Sequence, residues 1–202
     1  MNQSMSETIL PTSFFQRSTE LVAQELLGKL IFSTLDNAYI VVRIVETEAY
    51  GDEHDAASHA AFGKKKRNDA MFGPVGHTYV YLSYGIHFCL NIVARESGVT
   101  SGGVLIRAVE PLKGLQTIHK RRGSVEGFNL TNGPGKVGQA LGLGLAHNHI
   151  PLFCQNSPLT VTTDPHCSSS SIIKSTRIGI SRNVHAPWRF YLKDNQWVTP
   201  KR

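Results

Sequence analysis

Two glutamates, Glu46 and Glu48, lie two positions apart in the apolar segment at residues 43–50. If this segment forms a regular strand, the alternation of side chains places both carboxylates and Tyr50 on one face. Glutamate is depleted in strands, and burying its carboxylate without a partner is costly. Two carboxylates on one face of a strand are therefore unusual and mark this segment as a place for chemistry.

Residues 79–91 are typical of a β-hairpin, because Gly85 allows a tight reversal between two apolar runs. Tyr84 stands beside Gly85 and is expected at the exposed tip. A carboxylate on a rigid strand and an aromatic ring on an exposed tip suggest chemistry on a flat molecule. The ordinary alternative for Tyr84 is packing against a neighbouring strand residue, which is the commoner place for tyrosine in a hairpin.

The rest of the chain must supply the elements that position these residues. Ser18 is expected to cap a helix with an apolar stripe, small residues favour a helix over residues 55–62, and Pro111 is expected to open another helix. In the second of these helices, Asp55 and His59 would share a face. A strand is expected over residues 177–181. Strands and helices mix without regular βαβ alternation, so we predict an α+β fold with a mainly antiparallel sheet.

The length of 202 residues predicts one domain, at residues 14–202, preceded by a loose arm at residues 1–13. Hydrophobic residues make up 41% of the chain, but no run approaches the ~20 apolar residues of a membrane span. The N-terminus has no secretory-signal pattern. Three widely spaced cysteines, Cys89, Cys154 and Cys167, suggest reduced thiols, so a cytoplasmic location is expected.

The net charge of +6 is unevenly distributed along the chain. Residues 1–60 contain 3 Lys or Arg and 9 Asp or Glu, a balance of −6, whereas residues 61–202 contain 18 and 6, a balance of +12. The densest basic run is Lys64, Lys65, Lys66 and Arg67. Concentrated positive charge suits a polyanion, because phosphate contacts release condensed counterions. From composition alone, a solvated basic surface without a partner is an equally good interpretation.

Two groups of residues have to be considered as metal ligands. They are Asp52, Glu53, His54, Asp55 and His59, and His147, His149, His166 and Cys167. Neither group matches a common zinc spacing, and the chain contains no closely spaced cysteine pair. We therefore expect no metal site.

Several motifs in sequence order resemble the alkyladenine (3-methyladenine) DNA glycosylase family. They are Glu-Thr-Glu-Ala-Tyr at 46–50, His59, Arg-Asn at 67–68, Met-Phe at 71–72, Tyr-Val-Tyr at 79–81, Tyr-Gly at 84–85, Cys89, Asn91, Leu-Ile-Arg-Ala-Val-Glu-Pro at 105–111, Gly-Pro-x-Lys at 133–136, Arg-Ile-Gly-Ile at 177–180 and Trp-Arg-Phe-Tyr at 188–191. The resemblance covers nearly the whole chain. It implies a single compact domain with a curved sheet, surrounding helices and a protruding hairpin.

The resemblance implies that Glu48 is the general base, with Arg107 near the catalytic water. Breaking an N-glycosidic bond gives the sugar oxocarbenium character, which a carboxylate can stabilise while it accepts a proton from water. The alternative for Glu48 is an ordinary ion pair with Arg107 or Arg43. Arg107 would then pair with Glu48 or Glu46, and we interpret Glu46 as structural.

The resemblance also implies a pocket for a base that has been flipped out of the duplex. Its expected lining residues are Tyr50, His59, Tyr81 and Asn91. Tyr84 is expected to fill the gap left in the stack. Electron-rich rings attract cationic alkylpurines, and Asn91 would clash with the exocyclic amine of normal guanine. Taken singly, the tyrosines could be core residues, His59 could pair with Asp55, and Asn91 could be a satisfied buried amide.

Contacts to the DNA backbone are expected from five side chains: Lys64, Lys65, Lys66, Arg67 and Lys136. The family often has Thr-Pro where Lys65 and Lys66 stand, so this loop departs from the usual pattern. Lys136 begins a helix whose free N–H groups could hold a phosphate. A plain helix N-terminus without a bound phosphate explains the Gly-Pro-x-Lys motif equally well.

These features predict a monofunctional DNA glycosylase that releases alkylated or deaminated purines from duplex DNA and leaves an abasic site. Expected substrates are 3-methyladenine and 7-methylguanine, with hypoxanthine and ethenoadenine as further candidates. No cofactor, membrane or second subunit is expected, and a bacterial form would associate with the nucleoid. The alternatives are a non-catalytic nucleic-acid-binding module and a hydrolase of free nucleosides.

Overall fold

A computed structural model describes residues 7–166 and 171–200. The first six residues of the predicted arm and Cys167 lie outside these ranges. Within the described part of the arm, Ile9 forms a bridge with Thr162, and the buried Leu10 donates its backbone N–H to the carbonyl of Val161. The arm from Ile9 onward is therefore attached to the edge of the sheet.

The sheet is organised around one long strand, β2. The strands of the described residues are β1 (Leu30–Ser33), β2 (Ile40–Tyr50), β3 (Thr78–Ser83), β4 (His87–Val93), β5 (Gly103–Lys113), β6 (Leu159–Thr162), β7 (Ile172–Ser175) and β8 (Arg189–Leu192). Their order is β3-β4-β5-β2-β1-β6, with β8 also paired to β2 and β7 to β8, and every pairing is antiparallel. One edge of β2 follows β5, while the other is shared by β1 and β8. The predicted α+β fold with an antiparallel sheet is confirmed.

The pairing of β2 with β5 is irregular on both sides of Glu46. Ile44 lies opposite Val109 and Glu46 opposite Ala108, so one extra residue stands on β2 between them. Such a bulge bends a strand and re-aims its side chains, and bulges are common near active sites. Beyond the bulge the alternation resumes, and Glu46 and Glu48 point to the same side.

The helices are short and cover the sheet without alternating regularly with its strands. The α-helices are α1 (Thr12–Phe15), α2 (Thr19–Glu25), α3 (Leu115–Arg122) and α4 (Pro134–Leu141), and the 3-10 helices are Leu35–Asn37, His59–Phe62, Asp69–Phe72, Gly127–Leu130 and Leu145–His147. Ser18 caps α2 as predicted, because its hydroxyl oxygen accepts the N–H of Leu21 at 3.3 Å. Among the described residues, no helix has both the length and the apolar character needed to cross a membrane.

The predicted hairpin is present, with β3 and β4 paired from Thr78 opposite Ile92 to Ser83 opposite His87. Tyr84 and Gly85 turn the chain with φ of 50° and 69°. Glycine adopts this left-handed conformation easily, whereas tyrosine does so at an energetic cost. The sharp turn therefore places the Tyr84 side chain at the outermost point of the hairpin.

Three local expectations are wrong. Residues 55–62 form turns and the short 3-10 helix His59–Phe62 instead of one helix. Pro111 lies inside β5 near a register shift, where its missing N–H is tolerated, and α3 begins only after Gly114. Residues 177–181 form no strand, because the side chain of Arg177 and the backbone N–H of Ile178 bind carboxylates of other segments.

Candidate active site

Glu48 lies on β2 with no exposed surface and with both carboxylate oxygens hydrogen-bonded. The backbone N–H of Ile178 donates to Oε1 at 2.7 Å, and the Tyr50 hydroxyl donates to Oε2 at 2.8 Å. Nη1 of Arg107 lies 3.2 Å from Oε2. An ionised carboxylate offers about four acceptor positions, so a further position remains on Oε1.

Arg107 joins Glu48 to the second glutamate of the strand. Its Nε donates to Oε1 of Glu46 at 3.0 Å, and Nε of Arg189 donates to the same oxygen at 2.6 Å. The N–H of Thr199 donates to Oε2 of Glu46 at 2.8 Å. All four charged side chains are buried. We call this group the carboxylate–arginine cluster: Glu46, Glu48, Arg107 and Arg189.

The alternatives left open by the sequence are both realised here, because Arg107 pairs with Glu46 and with Glu48. Arg43 takes no part and instead binds Glu110 and Asp164. Burial opposes ionisation of Glu46, but Arg107, Arg189 and the Thr199 N–H outweigh it and lower its pKa. Burial also tends to lower the pKa of Arg107, and the two glutamates outweigh that effect and raise it.

Tyr50, His59 and Tyr81 come together beside Glu48. The rings of His59 and Tyr81 meet edge to face with centroids 4.5 Å apart, and Nδ1 of His59 lies 2.8 Å from the Tyr79 hydroxyl. Tyr50 and Tyr81 both pack against the small apolar cluster that contains Met71 and Tyr79. His59 therefore pairs with Tyr79 and not with Asp55, the partner that a regular helix would have offered.

The electrostatics of this group keep its rings uncharged near neutral pH. Burial, followed by the negative charge of Glu48, raises the pKa of Tyr50 well above 10.0. Burial also raises the pKa of Tyr81. Burial and the nearby charge of Arg67 lower the pKa of His59 from 6.5. The group therefore offers neutral aromatic faces beside a carboxylate.

Asn91 is a buried residue of β4, directly opposite Tyr79 in the hairpin. Its Nδ2 donates to the Tyr79 carbonyl at 3.1 Å. The α-carbon of Gly103 faces Asn91, since a side chain there would begin 3.8 Å from Asn91 Cβ. The amide is thus held in place on the strand paired with β3, which carries Tyr79 and Tyr81, as either interpretation of Asn91 requires.

The hairpin tip exposes three large apolar side chains. Tyr84 is 87% exposed and Ile86 is 71% exposed, and Leu82 also points into solvent. Large apolar side chains grouped at a projecting tip are costly in water and mark a contact surface. Tyr84 does not pack against a neighbouring strand, so the ordinary alternative for this tyrosine is wrong.

The basic run is a solvent-exposed loop anchored by one buried amide. Lys64, Lys65, Lys66 and Arg67 are all exposed. Nδ2 of Asn68 donates to the carbonyls of His59 and Gly63, and its Oδ1 accepts the N–H of Lys65 at 2.6 Å. Asn68 therefore fastens the loop to the segment that carries His59. We call the hairpin-tip and basic-loop side chains the exposed rim: Leu82, Tyr84, Ile86, Lys64, Lys65, Lys66 and Arg67.

Lys136 lies in the first turn of α4. Its ammonium donates to Oδ1 of Asn132 at 2.6 Å and to Oδ1 of Asn129 at 3.2 Å. Gly135 packs against the hairpin strand β4, because a side chain there would begin 2.7 Å from Cβ of His87. The helix start is therefore beside the turn end of the hairpin, where β4 begins, with its lysine oriented by two amides.

Within residues 7–166 and 171–200, no group of three or more His, Cys, Asp or Glu side chains is arranged to hold a metal ion. Asp55, one of the acidic residues considered for such a site, binds Arg177. Nδ1 of His147 accepts a local hydrogen bond from the backbone N–H of Gly144 at 2.8 Å. Cys167 of the second group lies outside the described residues.

Sequence reasoning missed several residues that position this site. They are Asp55, Asn68, Tyr79, Arg177, Ile178 and Arg189. All of them except Asp55 belong to motifs quoted above: Asn68 to Arg-Asn, Tyr79 to Tyr-Val-Tyr, Arg177 and Ile178 to Arg-Ile-Gly-Ile, and Arg189 to Trp-Arg-Phe-Tyr. The motifs alone did not indicate what these residues do. The positioning of Glu48 by Ile178 is invisible in the sequence, because a backbone N–H carries no side-chain signal.

A family model for methylpurine-DNA glycosylase (MPG) matches residues 13–196. A protein of Carboxydothermus hydrogenoformans is 40% identical over 193 residues, which cover 96% of this chain and 100% of the relative. One of Methanoculleus marisnigri is 41% identical, covering 94% and 98% of the two chains. One of Rhodopseudomonas palustris is 44% identical over 95% of this chain and 88% of the relative. Each of the three relatives is named "Putative 3-methyladenine DNA glycosylase".

Proposed function

The chain belongs to the methylpurine-DNA glycosylase family, and we propose that it releases alkylated purines from duplex DNA by hydrolysis with Glu48 as the general base. The observation that supports this most directly is the position of the Glu48 carboxylate. It is buried, held by Ile178, Tyr50 and Arg107, and adjoins the aromatic group. Products would be a free base and an abasic site.

In this proposal, a water molecule binds the remaining acceptor position on Oε1 of Glu48 and attacks the anomeric carbon of the flipped nucleotide. Glu48 accepts the proton from the water, and the electron pair of the N-glycosidic bond leaves with the base. General-base assistance of this kind contributes ~10²–10⁴-fold to a rate. Arg107 orients the carboxylate through its contact with Oε2. No lysine is required as a covalent nucleophile, so the DNA strand stays intact.

The proposed base pocket uses the faces of Tyr50, His59 and Tyr81. A purine alkylated at N3 or N7 carries a positive charge, and a neutral aromatic face attracts a cation by about 0.5–2 kcal/mol. The same charge makes the base a better leaving group. We therefore propose 3-methyladenine and 7-methylguanine as substrates. Asn91 would exclude normal guanine at its exocyclic amine, and hypoxanthine and ethenoadenine would depend on the shape of the pocket.

The proposed DNA-binding surface is the exposed rim together with Lys136. Tyr84 would enter the stack where the damaged nucleotide has left it, because base–aromatic stacking is worth about 1–3 kcal/mol. Lys64, Lys65, Lys66 and Arg67 would contact phosphates, and Lys136, on the helix that packs near the start of β4, would also contact the backbone. One hairpin and one pocket suffice for one lesion, so the proposal requires only a monomer.

The decisive experiment compares release of 3-methyladenine from methylated duplex DNA, in the presence of chelator, for the parent protein, Glu48→Gln and Glu110→Gln. Glu110 is a matched control, since it lies on β5 and pairs with Arg43 away from the cluster. We expect release by the parent and Glu110→Gln, and a rate at least about 100-fold lower for Glu48→Gln with DNA binding retained.

Release by Glu48→Gln at the parental rate would show that the base is assigned wrongly. Tight binding by the parent without release would favour the non-catalytic binding module. Release from free nucleosides at the rate seen with duplex DNA would favour the nucleoside hydrolase.

A further inference from the structure

Asp55 and Arg177 form a buried two-pronged ion pair that connects segments 122 residues apart. Nη1 of Arg177 lies 2.6 Å from Oδ2 of Asp55, and Nη2 lies 2.8 Å from Oδ1. Nη1 also donates to the carbonyl of Ala49, on β2 next to Glu48, at 2.9 Å. The guanidinium therefore connects the end of β2, at the Ala49 carbonyl, with Asp55 in the segment that follows it.

The same guanidinium packs against two aromatic rings. Its central carbon is 4.7 Å from the ring centre of Tyr50 and 5.0 Å from that of Trp188. Asp55 is held in turn by the N–H groups of Gly51 and Ala57 and by Nδ2 of Asn183. Arg177 is thus clamped in one position, and its neighbours Tyr50 and Ile178 are clamped with it.

Both of these neighbours donate to Glu48. Tyr50, which lies under the guanidinium, donates its hydroxyl to Oε2 at 2.8 Å. Ile178, the next residue along the chain, donates its N–H to Oε1 at 2.7 Å. Each of the two carboxylate oxygens therefore accepts a hydrogen bond from a group next to Arg177.

We propose that Arg177, anchored by Asp55, is a positioning residue that sets the orientation of the Glu48 carboxylate through Tyr50 and Ile178. This inference rests on the proposed function of Glu48. Arg177 itself touches none of the reacting atoms. A displacement of about 1 Å in a catalytic group can cost 100-fold in rate. Loss of the two-pronged ion pair between Arg177 and Asp55 should therefore slow the chemical step.

The positioning requires the planar guanidinium of Arg177 and not only its positive charge. A lysine at position 177 would keep one positive charge, but it offers a point charge in place of a planar group that binds a carboxylate at two points and stacks on rings. Arg177→Lys should therefore retain the fold and lose the orientation. Arg43→Lys is the matched control. Arg43 lies on β2 outside the cluster, and it also binds two carboxylates, those of Glu110 and Asp164.

The test measures the excision rate of 3-methyladenine under single-turnover conditions with saturating enzyme, the Kd for the same DNA and the Tm. For Arg177→Lys we expect a rate about 100-fold lower with Kd within threefold of the parent. For Arg43→Lys, whose ion pairs are partly exposed, we expect the parental rate and a smaller decrease in Tm than for Arg177→Lys. Asp55→Asn removes the anchor from the other side and should lower the rate in the same way, so it provides a second measurement if Arg177→Lys does not fold.

A double mutant separates positioning from a general effect on the fold. If Arg177 acts through Glu48, then Glu48→Gln/Arg177→Lys should be no more than threefold slower than Glu48→Gln alone. A full additional 100-fold loss in the double mutant would overturn the inference, as would a parental rate in Arg177→Lys. These results leave the proposed function intact, whereas a parental rate in Glu48→Gln removes both.

Discussion

The carboxylate–arginine cluster and the exposed rim use charged and aromatic residues in opposite ways. In the cluster, each charge is buried and has protein partners at 2.6–3.2 Å, so its geometry is defined before any ligand arrives. In the rim, the charged and apolar side chains are exposed to solvent. Preorganised groups suit bond cleavage, and solvated cations suit a polyanion of any sequence.

This difference separates the consequences of mutation in the two regions. Removing one partner of a buried ion pair leaves an uncompensated charge and destabilises the fold. Removing an exposed side chain changes binding while leaving the fold nearly unaffected. Variants in the two regions should therefore divide cleanly between effects on unfolding and effects on DNA affinity.

The largest expected effect would come from Glu46→Gln, which removes the charge shared by Arg107 and Arg189. Breaking a buried pair costs about 3–5 kcal/mol, so we expect a loss of this size in the free energy of unfolding in urea. Glu110→Gln, in a partly exposed pair, should lose about 1 kcal/mol or less. Equal losses in the two variants would contradict the distinction between buried and solvated charge.

Tyr84→Ala should affect binding and leave stability unchanged. Loss of one stacked ring should weaken affinity for lesion-containing DNA by about 1–3 kcal/mol, while the Tm stays within error of the parent. Tyr39→Ala is the control, because Tyr39 is also exposed but lies outside the hairpin. Undiminished affinity in Tyr84→Ala would show that the hairpin tip does not enter the DNA.

The buried cluster should also contribute to the pH dependence of stability. The folded state lowers the pKa of Glu46 below its ordinary value of 4.5, so the carboxylate stabilises the fold fully above that value. This contribution is lost as the pH falls through the lowered folded-state pKa. Denaturant unfolding between pH 7 and pH 3 should show the decrease in the parent, and a flat profile would mean that Glu46 gains nothing from its arginines.

The smallest effect should come from a single lysine of the basic loop. Lys65→Ala should weaken binding to all duplexes alike and reduce the slope of log K against log salt concentration by about one. Lys113→Ala, at the end of β5, should leave the slope unchanged. A slope for Lys65→Ala equal to that of the parent would show that this lysine makes no phosphate contact. The phosphate contacts of the loop would then be assigned to Lys64, Lys66 and Arg67.

Much of the fold was predictable, because its signals are local. The apolar segment at residues 43–50 predicted part of β2, the Tyr-Gly pair predicted the turn of the hairpin, and Ser18 predicted the start of α2. The prediction for residues 55–62 was wrong because Asp55 binds Arg177 and takes the chain out of helical geometry. Pro111 was misjudged because an irregularity between β2 and β5 accommodates it.

The sequence by itself determined which residue types are available to the site, since Glu46, Glu48 and Tyr50 follow each other at a strand's spacing and the basic loop is one continuous run. Only the tertiary structure decided the partners. Glu48 meets the N–H of Ile178 from 130 residues away, and Glu46 meets Arg189 from 143 residues away. Strand alternation and turn chemistry act between neighbours in the chain, whereas the choice of a buried charge's partner depends on which segments the folded sheet brings within hydrogen-bonding distance.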